Sequence, residues 1–302
     1  MKVSFNIGNS CYLMDVDNHN AGILLTEYSD WFSKFDNEQY KVLFRFERGS
    51  NVSNNLLNFY GLKNTETIGE NKEKKELIVK ENGCIYMNTH LFHNVNVYMP
   101  LDLSDLCIHI TYFSDLSIDD LMALIKTAFI WANNYLLNEF IFLIHASAVE
   151  IEKNNSVIFI GASGVGKTTV AKYCYEDGSL VLSDETILLW QGNRDYYVQG
   201  TLWHGSEKSI IGSAKTSMLK AIYILNKYQE DLYKKSINNY ENKCVLLNQW
   251  LNCAQFNIDK FIQGSKFITD LINDIDIYKL FFTKSNHFIG IIKNQEALSC
   301  YE

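Results

Sequence analysis

The residues with the clearest chemical potential form a glycine-rich segment, GASGVGKTT, which contains the pattern G-x-x-x-x-G-K-[ST]. Glycines at these positions allow backbone angles that a side chain would block, so successive N–H groups can point at one phosphate. The lysine can bridge two phosphates, and the threonine after it can ligate Mg²⁺. The segment therefore predicts a site for a nucleoside triphosphate with Mg²⁺. Its residues are Gly161, Ala162, Ser163, Gly164, Val165, Gly166, Lys167, Thr168 and Thr169.

The neighbours of this segment give the motif the context that it requires. An apolar run, Val157–Ile160, precedes it, and a helical pattern from Lys167 to Glu176 follows it. A strand before the loop and a helix after it are the arrangement that confirms a P-loop. The N-terminal end of that helix adds positive charge at the phosphates.

Two adjacent acids supply the next candidate groups. Asp184 and Glu185 follow the apolar run Leu180–Ser183, at a strand end that borders the ligand crevice of an α/β sheet. Neighbouring side chains on an extended chain point to opposite sides, so the two acids can serve different roles. One can hold Mg²⁺, and the other can take the proton from an attacking hydroxyl. A solvated turn is the alternative interpretation.

Three further residues are weaker candidates. His145 lies in LIHASAVEI, before the P-loop, and can be structural or functional. Trp203 and His204 lie between two glycines in GTLWHGS, where they can line a substrate pocket or form a packed turn.

The elements around these residues predict an α/β domain with a mixed sheet. Hairpins are expected at Asn154-Asn155 and Gly192-Asn193, because polar turn residues separate apolar runs there. The other expected strands are Leu180–Ser183, Ala221–Leu225, Ile277–Phe282 and Phe288–Ile292, and the expected helices are Lys167–Glu176, Cys244–Cys253 and Lys260–Ile272.

The part of the chain before this domain has a different sequence pattern. Residues 1–112 contain short alternating runs that predict a strand-rich N-terminal region, with a loop over Asn51–Lys75. A bridging helix is expected within 113–139, over Ser117–Leu136, with Ser117 and Asp120 forming a capping box. Residues 140–302 then form the P-loop domain.

Composition narrows the class of protein. The net charge of −8 disfavours non-specific binding of nucleic acid. The seven cysteines show no C-x-x-C pair, which favours reduced thiols in a cytoplasm. No uninterrupted apolar run is long enough to cross a membrane, and no signal-peptide pattern opens the sequence.

Four motifs in order resemble one family. HASAVEI, GASGVGKTT, LVLSDE and GTLWHG are similar to segments of the HPr kinase/phosphorylase superfamily. The closer resemblance is to the HPr-kinase-like proteins of peptide-modification systems, including peptide serine kinases of lasso-peptide pathways, and it covers residues 140–292. It implies a P-loop kinase domain of the HPr kinase/PEP carboxykinase-like fold and a homo-oligomer. It also implies transfer of the γ-phosphate of ATP to a hydroxyl, expected to be serine, of a peptide or protein such as a ribosomally made precursor peptide.

The resemblance also implies residue roles. Asp184 corresponds to the general base, Glu185 to the metal-side acid with Thr168, and His145 to a histidine near the phosphates beside Lys167. Glu185 stands where the family has a second aspartate. The Glu-x-Arg-Gly signature is absent, so HPr itself is not the expected substrate.

Arginine is scarce in this region, which affects the same roles. The only arginine after residue 140 is Arg194, which leaves Lys208 or Lys215 as substitutes for a transition-state arginine.

Three alternatives stay open at this point. The first is a kinase for a small-molecule hydroxyl, and the second is a nucleotide-binding regulator without catalysis. The third is a GTPase, because Asn226-Lys227-Tyr228-Gln229 resembles the guanine-reading Asn-Lys-x-Asp but ends in glutamine.

Overall fold

The structure is a computed structural model. It describes residues 1–7, 10–34, 39–48, 63, 66–71, 76–81, 84–92, 95–102, 106–113, 115–133, 140–203, 212–228, 232–251, 258–283 and 285–299. The chain divides into two compact units. The first is Met1–Glu139 with Ala254–Ile258, and the second is Phe140–Cys253 with Asp259–Glu302.

The first unit is built on a nine-stranded sheet in the order β3-β1-β2-β4-β9-β8-β7-β6-β5. The pairs β2–β4 and β4–β9 are parallel and the other pairs are antiparallel. The strands are β1 (Lys2–Ile7), β2 (Ser10–Asp15), β3 (Phe32–Lys34), β4 (Leu43–Arg48), β5 (Glu66–Asn71), β6 (Glu76–Glu81), β7 (Cys84–Phe92), β8 (Val95–Asp102) and β9 (Cys107–Tyr112). Two features differ from expectation: β5 lies in the segment predicted as a loop, and a helix, α1 (Asn18–Glu27), stands between β2 and β3.

Helix α2 (Ile118–Trp131) belongs to this first unit. Its start confirms the predicted capping box: Ser117 Oγ accepts from Asp120 N at 3.2 Å, and Asp120 Oδ2 accepts from Ser117 N at 3.1 Å. The Phe129 ring packs edge-on against Tyr12 and Phe5, at centroid distances of 5.3 and 6.4 Å. The apolar stripe of the helix is therefore buried against the first sheet. Residues 134–139, the end of the predicted helix, lie outside the described residues.

The second unit contains the other nine-stranded sheet and carries the candidate site. Its strands are β10 (Phe142–His145), β11 (Ser147–Glu152), β12 (Asn155–Ile160), β13 (Leu180–Ser183), β14 (Thr186–Gln191), β15 (Tyr196–Gly200), β16 (Thr216–Lys227), β17 (Leu232–Lys235) and β18 (Asp276–Phe282). The helices along this part of the chain are α3 (Lys167–Glu176), α4 (Asn239–Gln249), α5 (Ile258–Asp274) and α6 (His287–Ser299).

The sheet of the second unit is mixed, as predicted. Strands β12, β16 and β18 are parallel neighbours, whereas the remaining pairs are antiparallel. Both predicted hairpins, β11–β12 and β14–β15, are present, and Asn154 adopts a φ of +65° in the first turn. The carboxyl ends of the three parallel strands meet at one edge, where the P-loop follows β12.

One predicted strand is wrong. Phe288–Ile292 lies inside helix α6. Phe288, Ile289 and Ile292 are all buried against the core of the P-loop helix, which one face of a helix allows at this spacing. A short apolar run fits a buried strand or a buried helix equally well, so the pattern alone could not decide.

Two antiparallel ladders of this sheet meet at a bend. Strands β10 and β14 pair in one ladder, and β11 and β13 pair in the other. Only Ala146 separates β10 from β11, and only Asp184 and Glu185 separate β13 from β14. Ala146 N donates to Glu185 O at 2.9 Å, so the bend itself is hydrogen-bonded. The paired acids therefore lie at a hydrogen-bonded bend between two strands of the sheet.

Candidate phosphate site

Three glycines give the P-loop its shape. Gly161, Gly164 and Gly166 have φ values of +152°, +73° and +121°. At Gly166 a Cβ would also stand 2.7 Å from Cζ of Phe282, so this position excludes a side chain on two grounds. Gly166 is the N-cap of α3. The N-terminal end of α3 therefore has no side-chain cap among the described residues.

Lys167 opens the helix and is 6 % exposed. Its Nζ donates to the carbonyl oxygens of Gly161 at 2.9 Å and Ala162 at 3.4 Å. Burial lowers the pKa of Lys167, while the nearby carboxylate of Glu185 acts in the opposite direction. The P-loop cation and the metal-side acid predicted from the sequence therefore lie within electrostatic range of each other.

The acid turn is held by backbone and hydroxyl groups. Ser147 Oγ donates to Asp184 O at 3.3 Å, and Ser183 Oγ accepts from the N–H groups of Glu185 and Thr186, both at 3.3 Å. Asp184 is 2 % exposed, whereas Glu185 is half-buried. A buried carboxylate and a more open one thus stand side by side, which suits them to different roles.

His145 lies beside the same turn. It ends β10 and pairs with Thr186, the first residue after the acids. Its carbonyl is connected to the P-loop through Gln249, whose amide nitrogen lies 3.0 Å from His145 O and 3.2 Å from Gly161 O in the orientation that matches donors to acceptors. Sequence reasoning missed Gln249, because a glutamine at a helix end carries no motif and the contact depends on how α4 packs.

The Trp-His loop begins at the acid turn. Thr201 Oγ1 donates to Thr186 O at 2.7 Å and accepts from Trp203 N at 3.3 Å. The Trp203 side chain is 7 % exposed. His204 and Lys208 lie outside the described residues.

Lys215 is not at this edge of the sheet, so its predicted role as a substitute for arginine is wrong. It precedes β16, whereas the P-loop lies beside the other end of that strand, next to Leu225. Its Nζ is 2.7 Å from Glu150 Oε1, in a partly buried ion pair. Sequence distance gave no sign of this, because a strand carries its two ends to opposite edges of the sheet.

A cavity of about 390 Å³ adjoins the outer side of the P-loop. Its lining combines Gly164–Gly166 and Thr169 with Lys227, Tyr228, Phe282 and Thr283. The Tyr228 backbone N–H donates to Phe282 O at 3.1 Å, and its side chain is 58 % exposed. Two residues of the Asn-Lys-x-Asp-like segment therefore line the cavity beside the P-loop.

Two features are absent from the part of the chain that the structure describes. The described residues contain no group of three or more histidine, cysteine, aspartate or glutamate side chains placed to hold a metal ion. None of the described helices is both long and apolar enough to cross a membrane.

Comparisons with known proteins add a distant likeness. No family model matches the chain, and no curated protein matches its sequence. Among solved structures, the HPr(Ser) kinase/phosphatase from Coxiella burnetii matches with a TM-score of 0.31 and 13 % identity, covering 53 % of this chain and 99 % of that one. A likeness of this size carries no functional argument, so the case rests on the geometry of the site.

Proposed function

We propose that the second unit is a P-loop kinase domain of the HPr kinase/PEP carboxykinase-like type, which transfers the γ-phosphate of ATP to a hydroxyl. One observation carries the proposal: a P-loop with a buried lysine stands next to a hydrogen-bonded turn that bears two acids. Lys167 and Glu185 interact electrostatically across this space. Phosphoryl transfer requires a cation that binds the phosphates. It also requires carboxylates that hold a metal ion and accept a proton.

The P-loop and the start of α3 bind the phosphates. The backbone N–H groups of Gly164, Gly166, Lys167 and Thr168 surround the β-phosphate, and Lys167 leaves the Gly161 carbonyl to reach the β- and γ-phosphates. His145, which ends β10 beside the acid turn, is the proposed contact to the γ-phosphate.

The donor set fits Mg²⁺. Thr168 provides a hydroxyl at the start of α3, and Glu185 provides a half-buried carboxylate. Mg²⁺ takes most of its oxygen ligands from phosphates and water, so two protein ligands suffice. When bound, the ion neutralises the charge that develops on the transferred phosphoryl group.

Asp184 acts as the general base. Its buried carboxylate takes the proton from the acceptor hydroxyl as the acceptor oxygen bonds to the γ-phosphorus. The bond between that phosphorus and the bridging oxygen breaks, and ADP leaves. The hydrogen-bonded turn holds the Asp184 carboxylate in place while the acceptor oxygen forms its new bond.

The nucleoside occupies the cavity beside the P-loop. Its volume of about 390 Å³ lies within the range of small-molecule sites. The exposed Tyr228 ring offers a stacking surface for the base, and Lys227 lies beside it.

The acceptor is proposed to be serine in a peptide or protein, such as a ribosomally made precursor, with Trp203 and His204 as contacts. The working form is proposed to be a homo-oligomer in the cytoplasm. A small-molecule hydroxyl is the alternative acceptor. A regulator without catalysis is a second candidate function, because Lys215 is paired with Glu150 away from the site and no arginine follows Arg194.

The test has two stages. Binding of ATP with Mg²⁺ is measured by calorimetry for the wild type and for Lys167→Ala, with Lys172→Ala, an exposed lysine of the same helix, as the matched control. We expect Lys167→Ala alone to weaken binding and abolish transfer.

Transfer is then sought by mass spectrometry, as the gain of one phosphoryl group on candidate peptides. A phosphorylated serine would establish the peptide kinase. Binding without transfer to peptides or small alcohols would favour the regulator, and undiminished binding by Lys167→Ala would overturn the proposal.

A further inference from the structure

Gln249 is the last residue of α4, and the chain after it runs along β10. Trp250 forms an isolated β-bridge with Ile144, and Leu251 N donates to Leu143 O at 2.9 Å. This short pairing brings the end of the helix to the strand that carries His145. The Gln249 side chain then lies between that strand and the P-loop.

Trp250 anchors this arrangement. Its side chain is 6 % exposed and lies 5.7 and 5.3 Å, centroid to centroid, from the rings of Phe140 and Phe142. On the other side it lies directly on Gly264 of α5, where a Cβ would stand 2.1 Å from the indole ring. The end of α4 therefore has little freedom, and neither does the residue before Trp250.

The carbonyl of Gly161 accepts from Lys167 Nζ at 2.9 Å and can accept from a second donor. In the Gln249 orientation that matches donors to acceptors, the amide nitrogen lies 3.2 Å from Gly161 O and 3.0 Å from His145 O. A carbonyl oxygen has two lone pairs, so both bonds can form at once. Gly161 is buried, so water is a poor substitute for either donor.

We infer that Gln249 is a positioning residue that keeps the Gly161 carbonyl hydrogen-bonded when Lys167 turns to the phosphates. This rests on the proposed nucleotide site. Without nucleotide, Lys167 alone can satisfy the carbonyl, so loss of Gln249 leaves it with one donor. With nucleotide bound, Lys167 has left, and loss of Gln249 leaves a buried acceptor with none. The penalty therefore falls on the bound state.

The test is a double-mutant cycle on nucleotide affinity. Gln249→Met keeps the size of the side chain and removes its donor. In the wild-type background we expect it to raise the Kd for ATP with Mg²⁺ by roughly tenfold, the usual cost of an unsatisfied buried acceptor. In the Lys167→Met background, Gly161 O depends on Gln249 in both states. In that background ATP binds more weakly, so the Kd is measured at millimolar nucleotide. Adding Gln249→Met should change this Kd by less than about twofold.

A purely structural role predicts something different. It would weaken binding to the same extent in both backgrounds, and that result would overturn the inference, as would unchanged affinity of Gln249→Met in the wild-type background. A split between KM and kcat gives a second readout, since the lost bond should raise KM with little change in kcat. Gln191→Met, at an exposed glutamine at the end of β14, is the matched control and should leave the Kd unchanged.

Gln249→Asn provides the same test if the methionine variant does not fold, because its amide is one methylene too short to reach both carbonyls. Failure of the wild type to bind any nucleotide would overturn the proposed function and this inference together. Normal binding by both the wild type and Gln249→Met would overturn this inference alone.

Discussion

Gly166→Ala tests whether the P-loop is shaped by the contact that the structure shows. Gly166 has a φ of +121°, and a Cβ there would meet Cζ of Phe282 at 2.7 Å. Gly164 has a φ of +73°, and nothing lies within 4 Å of its would-be Cβ. The two glycines share a left-handed backbone and differ in the space around them, so Gly164→Ala is the matched control.

The expected magnitudes follow from these differences. Alanine at either position adopts a disfavoured backbone, which costs about 1–2 kcal/mol. At Gly166 the methyl group must also displace Phe282, which is 3 % exposed and packs against Phe288 at 6.1 Å. Forcing extra volume into such a core costs a further 1–3 kcal/mol or so. We therefore expect the free energy of unfolding to fall by roughly 2–5 kcal/mol for Gly166→Ala and by about 1–2 kcal/mol for Gly164→Ala.

Cys174 supplies an assay that reports on the second unit alone. It lies in α3, is 2 % exposed, and burial raises the pKa of its thiol to about 12. Because only the thiolate reacts, Cys174 resists alkylation at pH 8 until the P-loop helix opens. Pulsed alkylation in urea, read by peptide mass, gives a midpoint for this unit, whereas optical signals would mix the two units. With an m-value of about 2 kcal/mol per M, Gly166→Ala should lower the midpoint by about 1–2.5 M and Gly164→Ala by about 0.5–1 M.

The steric reasoning fails if the two alanine variants have the same midpoint. It is tested again in a Phe282→Leu background, where the contacted ring atom is absent. There the cost of Gly166→Ala should shrink to that of Gly164→Ala. An unchanged cost would mean that the backbone angle alone explains the effect.

Two further predictions concern other parts of the second unit. Gly264→Ala should lower the stability of the second unit by about 1–3 kcal/mol, because the methyl group meets the Trp250 ring. Gly290→Ala in α6, with nothing within 4 Å of its would-be Cβ, should be neutral or stabilising by up to about 1 kcal/mol. Equal midpoints of the two variants in the Cys174 assay would contradict this. Asp184→Asn should retain ATP binding but lower the rate of phosphoryl transfer by about a hundredfold. Asp195→Asn, in an exposed turn, should change neither the binding nor the rate. Transfer at an undiminished rate in Asp184→Asn would mean that another residue is the general base.

The sequence predicted the elements next to the P-loop well, because their causes are local. Helix α3 begins at Lys167 and β13 ends at Ser183, as expected from the glycines, the lysine and the apolar run. The Ser117 capping box is also local and was confirmed. The capping box and the glycine-shaped start of α3 depend on residues within one turn. Strand β13 is predicted by its own apolar run, although its backbone groups are satisfied by pairing with β11.

Other elements depended on partners that a sequence pattern does not contain. Phe288–Ile292 became helical because its apolar residues pack on the P-loop helix, and β5 formed by pairing with β6. Lys215, one of two candidate substitutes for arginine, lies away from the P-loop because its place depends on the direction of β16. These outcomes depend on long-range pairing and burial, which override weak local preferences.

The sequence by itself predicted a phosphate cradle and singled out Asp184, Glu185 and His145 as candidates to act with it. Only the tertiary structure decided that the acids lie at a hydrogen-bonded bend and that Glu185 is in range of Lys167. It alone brought Gln249, far along the chain, to the carbonyl of Gly161. The physical reason is that a glycine-rich loop encodes its own backbone shape, whereas contact between distant residues arises only when strands pair and helices pack.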